Sequence, residues 1–328
     1  MKAINLTGQA PTKRQKLIDL LPLKTPLVVQ IFPVYACNLK CNYCIFQMPQ
    51  NERHFISNVV SMDLDLFKKC VDDMTAFPDK IKTLRFVGIG EPLLHPDIHK
   101  MVSYAKEKNI AEKIEIITNG IRLKLSMAEK LIKAGLDRLV VSIQGENAKQ
   151  YKRSCNVMFG DVDFALLKSN IKYFYDNKKD CHVYVKSLDS VIENEDLFCE
   201  EFGDICDSIA IEKTVPIHQH VNLPERDKTQ YGQDLKQCSI CPQPFYHMQI
   251  NPDMNIVPCQ SFEYPIILGN ALSDNVVDVW NNGAFKDFRR YHIKGVFDST
   301  CSNCKMKSYR LDDNDILPIE NMEDLFNV

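Results

Sequence analysis

No apolar run in this 328-residue chain approaches the roughly 18 residues a membrane-spanning helix needs, and the N-terminus lacks the apolar core of a secretory leader. Nor is there a basic stripe. Lys and Arg are spread along the chain and the net charge is -3, so nothing is laid out to follow a nucleic-acid backbone. A hydrophobic content of 45% with 25% charged residues is that of an ordinary globular protein, and the length allows one large α/β domain plus a smaller appendage. The expected location is cytoplasmic. Cysteine is what the chain has in excess. Thirteen cysteines in a reducing compartment read as metal ligands and reactive thiols, not disulfides. Cys70, Cys155, Cys181, Cys199 and Cys206 are scattered and read as small buried hydrophobes. The other eight are clustered, which core packing does not explain.

The first cluster is Cys37, Cys41 and Cys44, spaced C-x3-C-x2-C directly after the apolar run 27–34. A tight loop offering three sulfurs can hold three irons of a 4Fe-4S cluster and leave the fourth iron open to a ligand. The competing reading is three quarters of a zinc site, with His54 the nearest downstream histidine. With Tyr43 just before the last cysteine, the motif resembles the cluster loop of the radical S-adenosylmethionine (SAM) superfamily. That resemblance implies that the open iron chelates the amino and carboxylate groups of SAM. One electron then cleaves SAM to methionine and a 5'-deoxyadenosyl radical, which removes a hydrogen atom from an unactivated C–H bond.

Six β-rich runs, 27–34, 83–87, 113–118, 138–143, 182–187 and 208–212, alternate with helical-period segments at 64–76, 97–108, 126–134, 163–176 and 194–202. Successive βα units call for a parallel sheet with right-handed crossovers. Six strands are too few for a closed eight-stranded barrel and suit the partial (βα)6, TIM-like barrel that the resemblance implies. The expected division is a lead-in at 1–26 with a short amphipathic helix over 13–21, the barrel at 27–221, a small α+β cluster-binding domain at 222–310 and a tail at 311–328.

Sites in such folds lie at the carboxyl ends of the strands. There the chain has Gly88-Ile-Gly90-Glu91, whose glycines let backbone approach a ligand and whose carboxylate can accept from an ammonium group. The turn resembles the superfamily's Gly-Gly-Glu type motif, which implies that it binds the amino group of SAM. Thr118-Asn119 and Ser142-Ile-Gln144 resemble the family's polar strand tips; many relatives carry Asp where Gln144 stands. Lys186 is placed to pair with the SAM carboxylate, or else is a solvated rim lysine. Residues 211–215 close the sixth strand and are open to contact with SAM or substrate.

Past residue 222 the alternation stops and Cys238, Cys241, Cys259, Cys301 and Cys304 follow. A β-hairpin turning at 251–255 would deliver one cysteine at each end. A turn at 268–270 and helical segments at 276–280 and 285–291 precede the final pair. The spacing resembles the twitch domain, the shortened relative of the SPASM domain, and implies an auxiliary 4Fe-4S cluster on Cys241, Cys259, Cys301 and Cys304. No cysteine follows Cys304, so one auxiliary cluster is expected. A zinc ribbon would use the same four sulfurs. Cys238 is left over as a ligand, an idle thiol or the hydrogen donor that radical epimerases require.

Twitch-bearing relatives include an aminocyclitol dehydrogenase and other carbohydrate-modifying enzymes, whereas SPASM-bearing relatives include peptide modifiers. The short N-terminus leaves no room for a leader-binding domain, so a small, carbohydrate-like substrate is expected, with a flavodoxin- or ferredoxin-like electron donor. Hydrogen abstraction at a carbinol then gives a ketone if an electron leaves, or an epimer if a thiol returns hydrogen. An iron-sulfur redox sensor is the non-enzymatic alternative; it would need no SAM-binding strand tips.

Overall fold

The computed structural model describes all residues except 1, 11–13, 54–56, 218–219, 261–263 and 327–328, so His54 lies outside the described residues. One ten-stranded sheet runs through the molecule in the order β1-β7-β6-β5-β4-β3-β2-β8-β9-β10. Its centre is β2 (Val28–Ile31), β3 (Thr83–Phe86), β4 (Ile114–Thr118), β5 (Arg138–Ser142), β6 (His182–Leu188) and β7 (Ser208–Glu212). These six strands pair in parallel, each with the next in sequence, and form an open, partial (βα)6 barrel. Such strands are covered on both faces: Leu139, Val141, Val183, Val185 and Ile209 are fully buried on one, and Val140, Tyr184 and Ala210 are buried on the other.

The helices between them follow local rules. Helix α1 (Leu64–Met74) is capped by Asp63, whose carboxylate accepts from the amides of Asp65 and Leu66. α2 (Ile98–Glu107) precedes β4, and α3 (Leu125–Ala134) ends on Gly135 in the left-handed conformation. The crossover from β5 to β6 contains two helices, α4 (Ala148–Cys155) and α5 (Asp161–Asn177), where the sequence pattern predicts one. The extra helix is short, and its inward face includes Gln150 and Ser154, which hide the apolar stripe. α6 (Glu195–Phe202) is capped by Asn194.

Both ends of the chain differ from expectation. The lead-in holds a two-residue strand, β1 (Ile4–Asn5), paired with β7, and a single 3-10 turn, Leu17–Leu20, in place of an amphipathic helix. At the other flank, β8 (His247–Ile250) pairs in parallel with β2 and continues as a hairpin into β9 (Asn255–Val257). Residues 268–270, expected as a turn, supply β10 (Gly269–Asn270) on β9. The remaining helices are α7 (Gln243–Tyr246), α8 (Val276–Asn281), α9 (Gly283–Ile293), α10 (Ser299–Ser302), α11 (Met306–Tyr309) and α12 (Ile319–Phe326). Tail and lead-in share a small core: Leu17 and Leu21 pack with Ile240, Phe245, Ile293, Leu317 and Met322. Arg14 pairs there with Asp312 and Asp315.

Candidate active site

The cysteine loop leaves β2 and crosses the carboxyl ends of the barrel strands. Its backbone is held at two places. The amides of Lys40 and Asn42 donate to the carbonyls of Cys155 and Ser154 at 3.1 and 2.9 Å, so the loop satisfies the open C-terminal carbonyls of α4. The amide of Glu91 donates to the carbonyl of Ala36 at 2.8 Å. Cys37 Sγ accepts from the amide of Leu39 at 3.5 Å and from Asn119 Nδ2 at 3.9 Å. Cys41 is 8% exposed, and its sulfur lies 3.6 Å from that of Cys155, a contact the sequence did not announce.

Burial first, with the charges of Glu91, Cys41 and Cys44 on Cys37 and of Cys41 on Cys44, pushes both thiols up to about 12. Cys41 is raised chiefly by its hydrogen bond with Cys155 and then by burial. Three sulfurs that resist ionisation together in an apolar setting fit a group that brings its own positive charge, as iron does.

Glu91, 2% exposed, is the clamp of the site. Its Oε1 accepts from the amide of Leu93 at 2.9 Å and from the Thr118 hydroxyl, while Oε2 accepts from the amide of Asn119 at 2.7 Å. Burial raises its pKa and these three bonds oppose the rise. The carboxylate therefore ties the end of β3 to the end of β4, and Asn119 Nδ2 extends the tie to Asn38 Oδ1 at 3.0 Å. Glu91→Gln replaces one acceptor oxygen with an amide that opposes a buried donor. It is expected to lower stability by about 2–3 kcal/mol in chemical denaturation, with a loss under about 0.5 kcal/mol contradicting the clamp.

The glycines have a further physical reason in the packing around them. A Cβ on Gly90 would sit 2.1 Å from the carbonyl oxygen of Val34, and one on Gly88 would sit 2.5 Å from the ring of Phe32; φ is +150° and +144°. The space is occupied by the cysteine loop, so Gly88 and Gly90 let the two loops lie against each other.

Tyr43, Ser142, Gln144 and Lys186 line one cavity at the ends of β5 to β7, together with Glu212, Gln230 and Arg310. Tyr43 donates to Gln144 Oε1, and Gln144 Nε2 donates to the carbonyl of Ser142 at 3.0 Å. Lys186 Nζ is 2.6 Å from Glu212 Oε2, so it is an internal ion pair and not a solvated rim lysine. Glu212 also accepts from Gln230 Nε2 at 2.6 Å and from Tyr184 at 3.3 Å. Nothing in its residue type marked Gln230 or Arg310 beforehand; they come from segments distant in sequence.

A second cavity is bordered by Cys241, Cys259, Cys301 and Cys304, with His292, Phe288 and Phe297. The β8–β9 hairpin carries the first two thiols, one beyond each end, and Asp298 caps α10 under Cys301 with a 2.7 Å bond. Burial, then neighbouring charges, pushes Cys301 up to about 12 and raises Cys241 and Cys259 as well. His292 Nε2 lies 3.7 Å from Cys301 Sγ, a neighbour that sequence reasoning missed. The thiols border a space and do not converge on one point: among the described residues no three His, Cys, Asp or Glu side chains are placed to hold a single ion. Cys238 lines neither cavity, and its thiol donates to the carbonyl of Ile240 at 2.7 Å.

A three-thiol loop at the mouth of an open barrel, followed by a four-thiol pocket, defines a class of iron-sulfur enzyme. The radical SAM superfamily model matches residues 31–188 and the iron-sulfur cluster-binding (SPASM) domain model matches residues 241–305. The chain belongs to the radical SAM superfamily and carries a C-terminal SPASM/twitch-like auxiliary domain; these two domains imply SAM and 4Fe-4S clusters as cofactors. It is 33% identical over 137 residues to the tungsten-containing aldehyde ferredoxin oxidoreductase cofactor-modifying protein of Pyrococcus furiosus, covering 42% of this chain and 36% of that one. The chain spans about a third to a half of the length of the curated relatives it matches. The fold is similar to BtrN in complex with AdoMet and 2-DOIA, with a TM-score of 0.55, 17% identity, and coverage of 85% of this chain and 92% of that one. It is also similar to Streptococcus suis SuiB bound to S-adenosylmethionine, with a TM-score of 0.62, 17% identity, and coverage of 92% and 78%. Among the described residues no helix is long and apolar enough to cross a membrane.

Proposed function

We propose that the chain oxidises a carbinol of a small polar substrate, a carbohydrate or aminocyclitol, to the carbonyl. When bound at Cys37, Cys41 and Cys44, the cluster and SAM supply a 5'-deoxyadenosyl radical that takes a hydrogen atom from a C–H bond. Cys241, Cys259, Cys301 and Cys304 hold the auxiliary cluster. For SAM itself, the remaining lone pair of Glu91 Oε2 receives the ammonium group. Thr118 and Asn119, fixed by Glu91, and Tyr43, Ser142, Gln144 and Lys186, which border the mouth cavity, frame the rest of the molecule. The reductant is a flavodoxin- or ferredoxin-like donor, and the setting is cytoplasmic, where thiols are kept reduced.

The observation that carries the dehydrogenase reading is the join between the two cavities. Two residues past Cys304 begins α11, which leads to Arg310 in the mouth cavity. The amide of Gln230 donates to the carbonyl of Tyr309 at 2.8 Å, and the amide of Lys213, just past β7, donates to the carbonyl of Gln230 at 2.8 Å. The four-thiol pocket is thus stitched to the wall where substrate would sit. A carbinol that becomes a carbonyl loses one hydrogen atom, one proton and one electron. Glu212 is the carboxylate in the cavity that can take the hydroxyl proton, and the stitched wall is the short way out for the electron. Epimerisation would need a thiol at the substrate, and no cysteine lines this cavity among the described residues.

The test is anaerobic turnover of the iron-loaded protein with SAM, dithionite and carbinol-deuterated cyclitols and sugars. Deuterium in 5'-deoxyadenosine together with a carbonyl trapped by a hydrazine is expected. A product inverted at one carbon and carrying solvent hydrogen would overturn the reading. Cys238→Ala should keep full iron and full turnover, measured by iron assay and product yield; loss of product with iron intact would make Cys238 the donor.

A further inference from the structure

The mouth cavity carries more positive charge than it cancels. Lys186 is paired with Glu212, and Lys213, also in its wall, lies 3.6 Å from Asp189, a carboxylate it shares with Arg226 at 3.5 Å. Arg310 faces the same space. Its Nε is buried and has no hydrogen-bond partner, and Glu212, whose charge attracts it, is already engaged by Lys186, Gln230 and Tyr184. A second orphan stands beside it. Gln230 Nε2 donates one hydrogen bond to Glu212 Oε2, which fixes the orientation of the group, and leaves Oε1 buried without a partner.

A buried donor and a buried acceptor without partners each destabilise a fold, and in native proteins such groups call for a ligand or a functional account. Both are held by backbone. The amide of Arg310 donates to the carbonyl of Met306 at 3.0 Å, and Gln230 is bonded through its own amide and carbonyl to Tyr309 and Lys213. The guanidinium is planar and matches a carboxylate with two parallel bonds. Arg310 itself brings one positive charge without an ion-pair partner, which balances one negative charge, whereas a phosphate dianion would also meet the Glu212 carboxylate. Leu188, Val215 and Leu223 give the cavity an apolar side against which the C–H face of a ring can lie.

We infer that Arg310 and Gln230 form a substrate subsite for one carboxylate with a hydroxyl beside it, so that the substrate is a sugar acid of the uronic or aldonic kind. The carboxylate lies on Arg310 and the hydroxyl donates to Gln230 Oε1. The sugar part of this assignment rests on the carbohydrate reading above; the anion subsite stands on the cavity alone.

SAM also carries a carboxylate, so the experiment separates the two. The iron-loaded protein, saturated with SAM under anaerobic conditions, is titrated calorimetrically with glucuronate, gluconate, glucose, myo-inositol, lactate, glutamate and inorganic phosphate. At least one sugar acid is expected to bind ten times or more tightly than either neutral compound. Arg310→Gln should weaken that binding at least tenfold, Arg310→Lys less, and neither should lower SAM affinity or melting temperature, because the Nε loses no partner. Gln230→Leu should weaken the hydroxylated acid without affecting SAM. Equal binding of acid and neutral sugar, no binding by any monocarboxylate, tightest binding by phosphate, or an Arg310→Gln loss that falls on SAM instead would each overturn the subsite. Arg310-dependent binding of lactate or glutamate without any sugar acid would uphold the subsite and discard the carbohydrate reading.

Discussion

Replacing Cys37, Cys41 and Cys44 together by alanine is expected to abolish 5'-deoxyadenosine formation while leaving about four irons per chain on the second set of thiols. The two sets are separate in the structure. The first loop is fastened to α4 and to the β3–β4 clamp, whereas the second set borders its own cavity beneath α9 and α10. The complementary replacement of Cys241, Cys259, Cys301 and Cys304 should remove the other half of the iron. Iron assay and chromatographic detection of 5'-deoxyadenosine decide the matter. Retained SAM cleavage in the triple variant, or loss of all iron on removing either set, would contradict two independent sites.

Gly90→Ala is expected to be the most damaging single substitution outside the ligands. Its Cβ would be 2.1 Å from the Val34 oxygen and 3.0 Å from that of Ala36, both backbone, at a φ of +150° that an L side chain rarely adopts. Neither carbonyl can step aside, because the Ala36 oxygen accepts from the Glu91 amide and Tyr35 beside it is bonded to the carbonyl of Val60 at 2.7 Å. Displacement of the cysteine loop should reduce iron loading toward the auxiliary half and lower stability by about 3 kcal/mol or more. Gly283→Ala, where a Cβ would meet nothing within 4 Å, is the control and should change stability little. Full iron and an unchanged denaturation midpoint for Gly90→Ala would mean that the loop does not rest on this turn.

Much of this was legible because most barrel strands are buried on both faces and most of the crossover helices, α4 excepted, have an apolar side. The seventh strand, Ser208–Glu212, falls where the apolar run places it, and Leu64, Asp97 and Asn194 mark helix starts within a residue or two. The cysteine spacings stood out because thiols are otherwise scattered. Two kinds of feature were hidden. Short elements such as Ile4–Asn5 and Gly269–Asn270 have no period to detect and exist only through their partners. Contacts between distant segments, Arg310 with the β7 wall or Cys155 with Cys41, depend on the closed fold and leave no mark on the local sequence. The partners of Lys186 and Glu91 were invisible for the same reason: charge and position were readable, but not that Glu212 neutralises the first and two strand ends engage the second.

Four residue pairs join β8 to β2, from Val28 with His247 to Ile31 with Ile250. A fragment that stopped after β7 would leave that flank of β2 with a bare row of amides and carbonyls, a template on which strands of neighbouring molecules can add. The region that carries the second set of thiols is therefore also the guard of the barrel's edge. A shortened chain would fail by self-association before any chemistry could be assayed, so the second half of the protein is best probed by point substitution within the intact chain.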